Sequence, residues 1–492
     1  MSNHYFKSPV VKMGVWSLTP GDCETWHGEY TSRYFKRLFG IPKESMLLYE
    51  FKTGFQHAYV TKKYLRLLHS QIDNINRTDY RALSKKLRSF YPLAEHAKKI
   101  AAKKYPEPQK QTNRQLVQNF FRIRDRIHHL AIFDQFSWLA EEYWTPKMEK
   151  VLVKKLGLEK NSPEYNRVLF TLTKPERIST TLLEKKAVIR AAIELKEKRD
   201  TLKSASKKLA KQFGFLPVFC FGEPWQTHHY ENELKQTAAR PLKSLKMEYQ
   251  KLQNYARLRN KELAEVTGQY NLNSRDLQIF LDFGLAIDTR NEAEYFVGFG
   301  GYYLLPLYKE IARRLYLTTT QARCLTEKEM LDSVLGRTDP QKILAKRRRF
   351  IGWGFSRNFS RRINFTESES EKLFRYIESY VKPVQGGNES QGTCASPGKA
   401  RGKARLVSSP QQNHKVKTGD ILFTYATTTD YLPAMKRAAA IVTEVGGLTC
   451  HAAVVSREFG IPCVVALAKA MENFKDGELV EINADKGTVK KL

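Results

Sequence analysis

Glycine is distributed unevenly along this chain of 492 residues, with 18 in residues 1–391 and 9 in residues 392–492. The glycine-poor part carries long Lys/Glu/Leu-rich stretches, which predicts a mainly helical body. The glycine-rich part has short apolar runs at 404–408, 420–423, 440–443, 463–466 and 479–482. These are separated by Gly-containing turns and by helical stretches at 431–438 and 451–459. Strands alternating with helices predict a compact α/β domain, so the fold class expected is α+β and multidomain. Residues 381–397, with Gly386-Gly387-Asn388, read as a linker between a helical part (1–380, with a possible subdomain break near 150–215) and a domain at 398–492. A 41% hydrophobic and 12% aromatic composition excludes a disordered tail protein.

Helix periodicity is clearest at Leu116, Phe120, Ile123, Ile127 and Leu130, whose +4, +3, +4, +3 spacing places them on one face. Further helices are predicted over 176–213, ending at Gly214, and over 241–269. A fourth starts from an N-cap at Asn273-Ser274 and breaks at Gly298-Phe299-Gly300-Gly301. The six cysteines are scattered without a CxxC pair, which gives no zinc signature and fits a cytoplasmic setting. No signal pattern and no long apolar run is present, so no membrane partner is expected.

Lys plus Arg outnumber Asp plus Glu by 83 to 51, a formal charge of +32. That points to an acidic partner without naming it. Residues 392–492 hold 14 basic and 9 acidic residues, net +5, so +27 lies in the helical part. Lys342, Lys346, Arg347, Arg348, Arg349, Arg357, Arg361 and Arg362 fall within 341–366, interleaved with Phe350, Trp353, Phe355, Phe359 and Phe365. Such a stretch suits single-stranded nucleic acid, a phosphate-bearing substrate or an acidic protein, and suits a solvated helix face equally.

The segment Thr443–Pro462 carries the chemistry. An apolar strand ends at Gly446-Gly447, and a helix begins near Thr449 or His451. A histidine in a first turn faces backbone N–H groups without intrahelical partners and the positive end of the dipole. That surrounding disfavours imidazolium and favours a phosphoryl group on the ring. Gly446 and Gly447 let backbone approach an anion, and Thr449 adds a hydroxyl. These are the needs of a covalent phosphoryl relay on His451. On spacing alone, an ordinary satisfied histidine remains the competing explanation, and a Cys450 thiol nucleophile a weaker one.

The run Gly446-Gly447-Leu448-Thr449-Cys450-His451-Ala452-Ala453, followed by Arg457-Glu458-Phe459-Gly460-Ile461-Pro462, resembles the phosphohistidine signature of the PEP-utilising enzymes, the family of phosphoenolpyruvate synthase and pyruvate phosphate dikinase. Ala395–Gly402, Gly419-Asp420-Ile421-Leu422, Thr429-Asp430-Tyr431-Leu432-Pro433 and Gly487-Thr488-Val489 extend the likeness. Ala466 departs from it, standing where the family usually has glycine. The resemblance implies a swivelling β/β/α phosphohistidine domain with His451 as carrier and Gly446, Gly447, Thr449, Cys450 and Arg457 around the phosphoryl group. More loosely, Asp288–Glu292, Leu305–Leu315 and Cys324–Met330 resemble the helical region of phosphoenolpyruvate-synthase-like proteins.

The family's ATP-grasp domain and pyruvate-binding barrel have no counterpart motifs in these residues. The expectation is therefore a phosphotransferase component of a split enzyme. It would carry a phosphoryl group from ATP, bound with Mg²⁺ on a separate ATP-grasp chain, or from phosphoenolpyruvate, to a small-molecule acceptor in the helical part. The alternative is a basic nucleic-acid- or protein-binding scaffold that retains a swivelling domain without catalysis. Arg290 and Glu292 are candidate substrate contacts, with an interhelical ion pair as the competing reading. Trp225 and His228, in an aromatic stretch that includes Phe215, Phe219, Phe221, His229 and Tyr230, are candidates for a pocket wall, or equally for a core-forming loop. His228-His229 and His128-His129 lack helical ligand spacing, and no metal ligand is expected.

Overall fold

A computed structural model describes residues 10–17, 29–41, 46–50, 55–101, 106–219, 222–347, 350–355, 362–378 and 389–492. Among these, six helices position the site: α1 (Asn113–His128), α2 (Ala131–Glu149), α3 (Thr180–Lys196), α4 (Thr227–Ala238), α5 (Ser274–Arg314) and α6 (His451–Phe459). The periodic face of α1 is buried along its whole length, with Leu116, Phe120 and Ile127 fully enclosed. Thr112 and Gln115 close its N-terminus with a reciprocal capping box.

Helix α5 runs unbroken for 41 residues, started by Asn273 accepting from the amides of Arg275 and Asp276. The break expected at Gly298–Gly301 is absent. Those glycines serve close packing instead: a Cβ on Gly298 would lie 2.4 Å from the Val218 carbonyl oxygen, and one on Gly300 would lie 2.7 Å from Ile127 Cγ2. Two other expected helices are divided. The 176–213 stretch gives α3 and a separate helix Leu202–Phe213, each begun by its own cap, Ser179 and Thr201. The 241–269 stretch divides at Asn254. Short polar capping residues inside the long Lys/Leu-rich runs account for the first division.

The helical part also holds a five-stranded antiparallel sheet that composition did not foretell. Its strands are β1 (Val10–Ser17), β2 (Met46–Glu50), β3 (Phe55–Thr61), β4 (Phe350–Phe355) and β5 (Arg362–Phe365), in the order β1-β3-β2-β4-β5. Pairing of Leu47 with Trp353 joins the two ends of the helical part. The basic, aromatic stretch at 341–366 therefore supplies two sheet strands, and its Arg347 pairs with Glu329. Arg348, Arg349, Arg357, Arg361 and Phe359 lie outside the described residues, as do Cys220, Phe221 and 381–388 of the expected linker.

Residues 389–391 and 393–396 of the expected linker are strands of the second sheet. It comprises β6 (Glu389–Gln391), β7 (Thr393–Ser396), β8 (Lys399–Leu406), β9 (Ile421–Thr424), β10 (Ala440–Thr443), β11 (Cys463–Val465), β12 (Leu479–Asn483) and β13 (Thr488–Lys491). The order is β6-β13-β12-β8-β9-β10-β11-β7. Strands β8 to β11 are parallel, and β9 and β10 are buried throughout, as parallel strands covered on both faces require. Helix α6 is the crossover between β10 and β11. No described helix is long and apolar enough to cross a membrane.

One apolar cluster spans both parts. Val188, Ile189 and Leu234 of the helical part share it with Leu422, Leu432 and Ala453 of the α/β domain. Beside it, Lys436 of the α/β domain lies 3.1 Å from Glu184 on α3 and 3.0 Å from Glu233 on α4, with its ammonium 4.7 Å from the Trp225 ring. His229 stacks on that indole at 4.2 Å. Removing a buried cation leaves its carboxylates facing each other, a loss of about 3 kcal/mol for a lysine that keeps 21% of its side chain in water. Lys436→Met is thus expected to loosen the two parts, seen as a larger radius of gyration by solution scattering with circular dichroism unchanged. An unchanged radius would show that the joint does not need this cation.

Candidate functional site

Strand β10 ends at Thr443, whose hydroxyl donates to the Val445 carbonyl and tightens the turn. Gly446 follows at φ +120°, a backbone conformation that only glycine adopts easily, and a Cβ there would lie 2.9 Å from Cys450 Sγ. Cys450 occupies the cap position with extended backbone and no side-chain cap bond. His451 is then the first residue of α6, in the turn whose amides lack intrahelical partners.

The His451 ring is 2% exposed. Its Nδ1 lies 3.0 Å from Thr427 Oγ1, and its Nε2 is buried without a hydrogen-bond partner. The Tyr295 ring stands edge-on to it, with centroids 6.2 Å apart. Burial, with Arg290's charge adding to it, pushes the His451 pKa down to about 3, so the ring is neutral at physiological pH. When Nδ1–H donates to Thr427 Oγ1, the lone pair falls on Nε2. Burial pushes the Cys450 thiol up to about 11, which removes it as a thiolate nucleophile.

Opposite His451 stands the helical part. A cavity of about 660 Å³ between the two is lined by Trp138, Glu141, Arg290, Thr427 and Glu444, with Gly446, Gly447, Cys450 and His451 among its other walls. Arg290, buried on α5, donates from Nη1 to Thr449 Oγ1, and the Thr449 hydroxyl donates to Glu141 Oε2 at 2.5 Å. Arg290 Nε lies 3.2 Å from Asp134 and 3.8 Å from Glu294, and its Nη1 lies 4.0 Å from Glu141. Burial opposes the guanidinium charge, but Asp134, Glu294 and Glu141 outweigh it and hold it charged. Burial and the nearby Asp134 push Glu294 up to about 8. A Cβ on Gly447 would lie 2.1 Å from Glu141 Oε1, so the space that glycine leaves open is filled by this carboxylate.

Several candidate residues fall elsewhere. Arg457 does not line the His451 cavity: its Nη2 donates to the Leu448 carbonyl at 2.7 Å and its guanidinium lies over Phe170. Glu292 turns to the other side of α5 and accepts from the Thr180 amide and hydroxyl. Trp225 belongs to the Lys436 joint, and His228 is exposed on the first turn of α4. Neither lines the cavity. Asp134, Glu141, Glu294, Trp138, Tyr295 and Thr427 were not singled out from the sequence. One signal was available for two of them: Asp134 and Glu141, seven apart, place charge on one face of the otherwise apolar run that begins at Ala131.

Fold and site together define an α/β module that presents one neutral, buried histidine to a separate helical body. Residues 416–487 match the family described as PEP-utilising enzyme, mobile domain, and this stretch of the chain is a domain of that family. Three similar proteins are the probable phosphoenolpyruvate synthase of Archaeoglobus fulgidus, 54% identical over 112 residues (23% of this chain, 15% of that one), the phosphoenolpyruvate synthase of Pyrococcus furiosus, 50% over 101 residues (20% and 12%), and that of Escherichia coli, 38% over 111 residues (23% and 14%). The likeness thus spans 12–15% of the length of these relatives.

Two measurements test this geometry. An unfolded histidine takes up a proton near pH 6.5 and the folded His451 near 3, so the unfolded chain binds more protons in between. The stabilisation is present in full above pH about 6.5 and is lost progressively as pH falls toward 3. Ring resonances of His451 are expected to stay those of neutral imidazole from pH 5 to pH 8 by ¹⁵N NMR, and titration near pH 6.5 would contradict the burial. Separately, Ala466 has φ +55°, the left-handed region, where a side chain is strained and glycine is not. Ala466→Gly is expected to raise unfolding stability by about 1 kcal/mol in denaturant titration.

Proposed function

We propose that this chain is a phosphotransferase component, phosphoenolpyruvate-synthase-like, in which His451 Nε2 carries a phosphoryl group to an acceptor bound against the helical part. The observation that supports it is the unpartnered, buried Nε2 of a neutral histidine lining a cavity between two bodies. In this reading the Nε2 lone pair attacks the donor phosphorus, and Thr427 fixes the ring by holding Nδ1. The first-turn amides of α6, the Thr449 hydroxyl and the Arg290 guanidinium are the groups placed to stabilise the added charge. Docking against α2 and α5 presents the loaded ring to the acceptor, and departure of the domain exposes it to the donor.

The donor in this reading is ATP on a separate ATP-grasp chain, or phosphoenolpyruvate. In this reading Mg²⁺ accompanies the nucleotide on the partner chain, and no step here is routed through it. The family match and the names of the relatives support phosphoryl transfer of the PEP-utilising kind.

Incubation with ³²P-phosphoramidate, or with labelled ATP and the partner chain, is expected to give an acid-labile, alkali-stable label that His451→Ala abolishes. Thr427→Val is expected to slow labelling about tenfold, the worth of one hydrogen bond in a rate. Label retained in His451→Ala would refute the assignment.

A further inference from the structure

A second cavity, of about 500 Å³, lies between the two parts, and His451 is not among its walls. Phe170, Leu182, Leu252 and Tyr255 line it from the helical part, and Pro397 and Val454 from the α/β domain. Arg457 and Glu458 follow Val454 at +3 and +4 on α6, so one face of that helix forms a wall. Apolar walls with a few polar groups are what small-molecule sites use.

The charges around this cavity do not cancel. Lys174 is taken up by Glu262 at 2.8 Å. Arg457 forms no ion pair among the described residues: its Nη2 donates to the Leu448 carbonyl at 2.7 Å, and its guanidinium lies 5.4 Å from the centre of the Phe170 ring. Burial holds the Arg457 pKa below its ordinary value, a cost that an incoming anion would offset. Arg177, exposed and 4.1 Å from the centre of the Tyr91 ring, also lacks an ion pair among the described residues. Glu458 is the opposing charge. Its carboxyl is hydrogen-bonded by Ser179 and Thr181, and burial pushes it up to about 7, which weakens its charge at neutral pH. A planar monoanion fits this balance, because a guanidinium matches a carboxylate and a phosphate dianion would be repelled more by Glu458.

We propose that this cavity binds an aromatic carboxylate, with its ring against Leu182, Leu252 and Tyr255 and its carboxylate on Arg457. One ligand is then held by both parts of the chain, and its binding favours their docked arrangement. The site stands whether or not His451 carries phosphate.

The test is titration calorimetry on the full chain near neutral pH with 2-naphthoate, against 2-naphthalenemethanol and 2-naphthyl phosphate. Naphthoate is expected to bind at least about tenfold more tightly than the alcohol or the phosphate ester, the worth of one charge-assisted hydrogen bond. Arg457→Met is expected to erase the preference over the alcohol. Leu252→Trp fills the cavity from the helical side and is expected to weaken naphthoate at least about tenfold. It leaves the Arg457 contact to Leu448 in place, so it carries the test if circular dichroism shows Arg457→Met unfolded. No binding to wild type, equal affinity for the alcohol or the ester, a preference kept in folded Arg457→Met, or unchanged affinity in Leu252→Trp would each overturn the proposal.

Discussion

One buried arginine joins the chemistry of the two halves. Arg290 reaches from the longest helix of the helical part to Thr449 of the mobile domain, while Asp134, Glu141 and Glu294 surround it. A guanidinium is costly to bury alone, and three carboxylates would repel one another without it. That compensation lies within the helical part, and Thr449 ties the α/β domain to it by accepting from Arg290 and donating to Glu141. The same charge, added to burial, keeps His451 neutral. A protonated ring would have no lone pair on either nitrogen and could not act as a nucleophile.

Close approach of backbones makes this burial possible. Gly298 and Gly300 let α5 lie against the Val218 carbonyl and the Ile127 side chain. Gly447 does the same for the turn before His451, where the missing side chain is replaced by a carboxylate from another element. The shared apolar cluster and the Lys436 joint hold the domains together away from the reacting atoms. Attachment of the two parts and the charged network at His451 thus rest on different residues.

Some of this was legible in the residues before any coordinates. The apolar face of α1, the strands β8 to β12, and a helix starting at His451 after a glycine pair all follow from local periodicity and turn chemistry. The glycines of α5 were misleading because local propensity reads them as breaks, whereas close packing against other segments keeps the helix whole. The N-terminal sheet was illegible for a related reason: β2 finds its partner β4 some 300 residues later, and no local pattern encodes that pairing. Arg457 looked like a phosphate ligand from its place in the signature, but its position on α6 points it to the Leu448 carbonyl and Phe170.

The sequence by itself determined that a histidine would open a helix beyond a flexible turn, because amide geometry and glycine's freedom are local properties. It also determined the division into a glycine-poor helical body and an α/β domain. Only the tertiary structure decided that His451 would be buried, that Thr427 would lie against its Nδ1, and that the Glu141 carboxylate would fill the space at Gly447. Those outcomes depend on side chains brought together from residues 134–141, 290–294, 427 and 447–451. Burial and pairing of charge are properties of that assembly, and no single segment holds them.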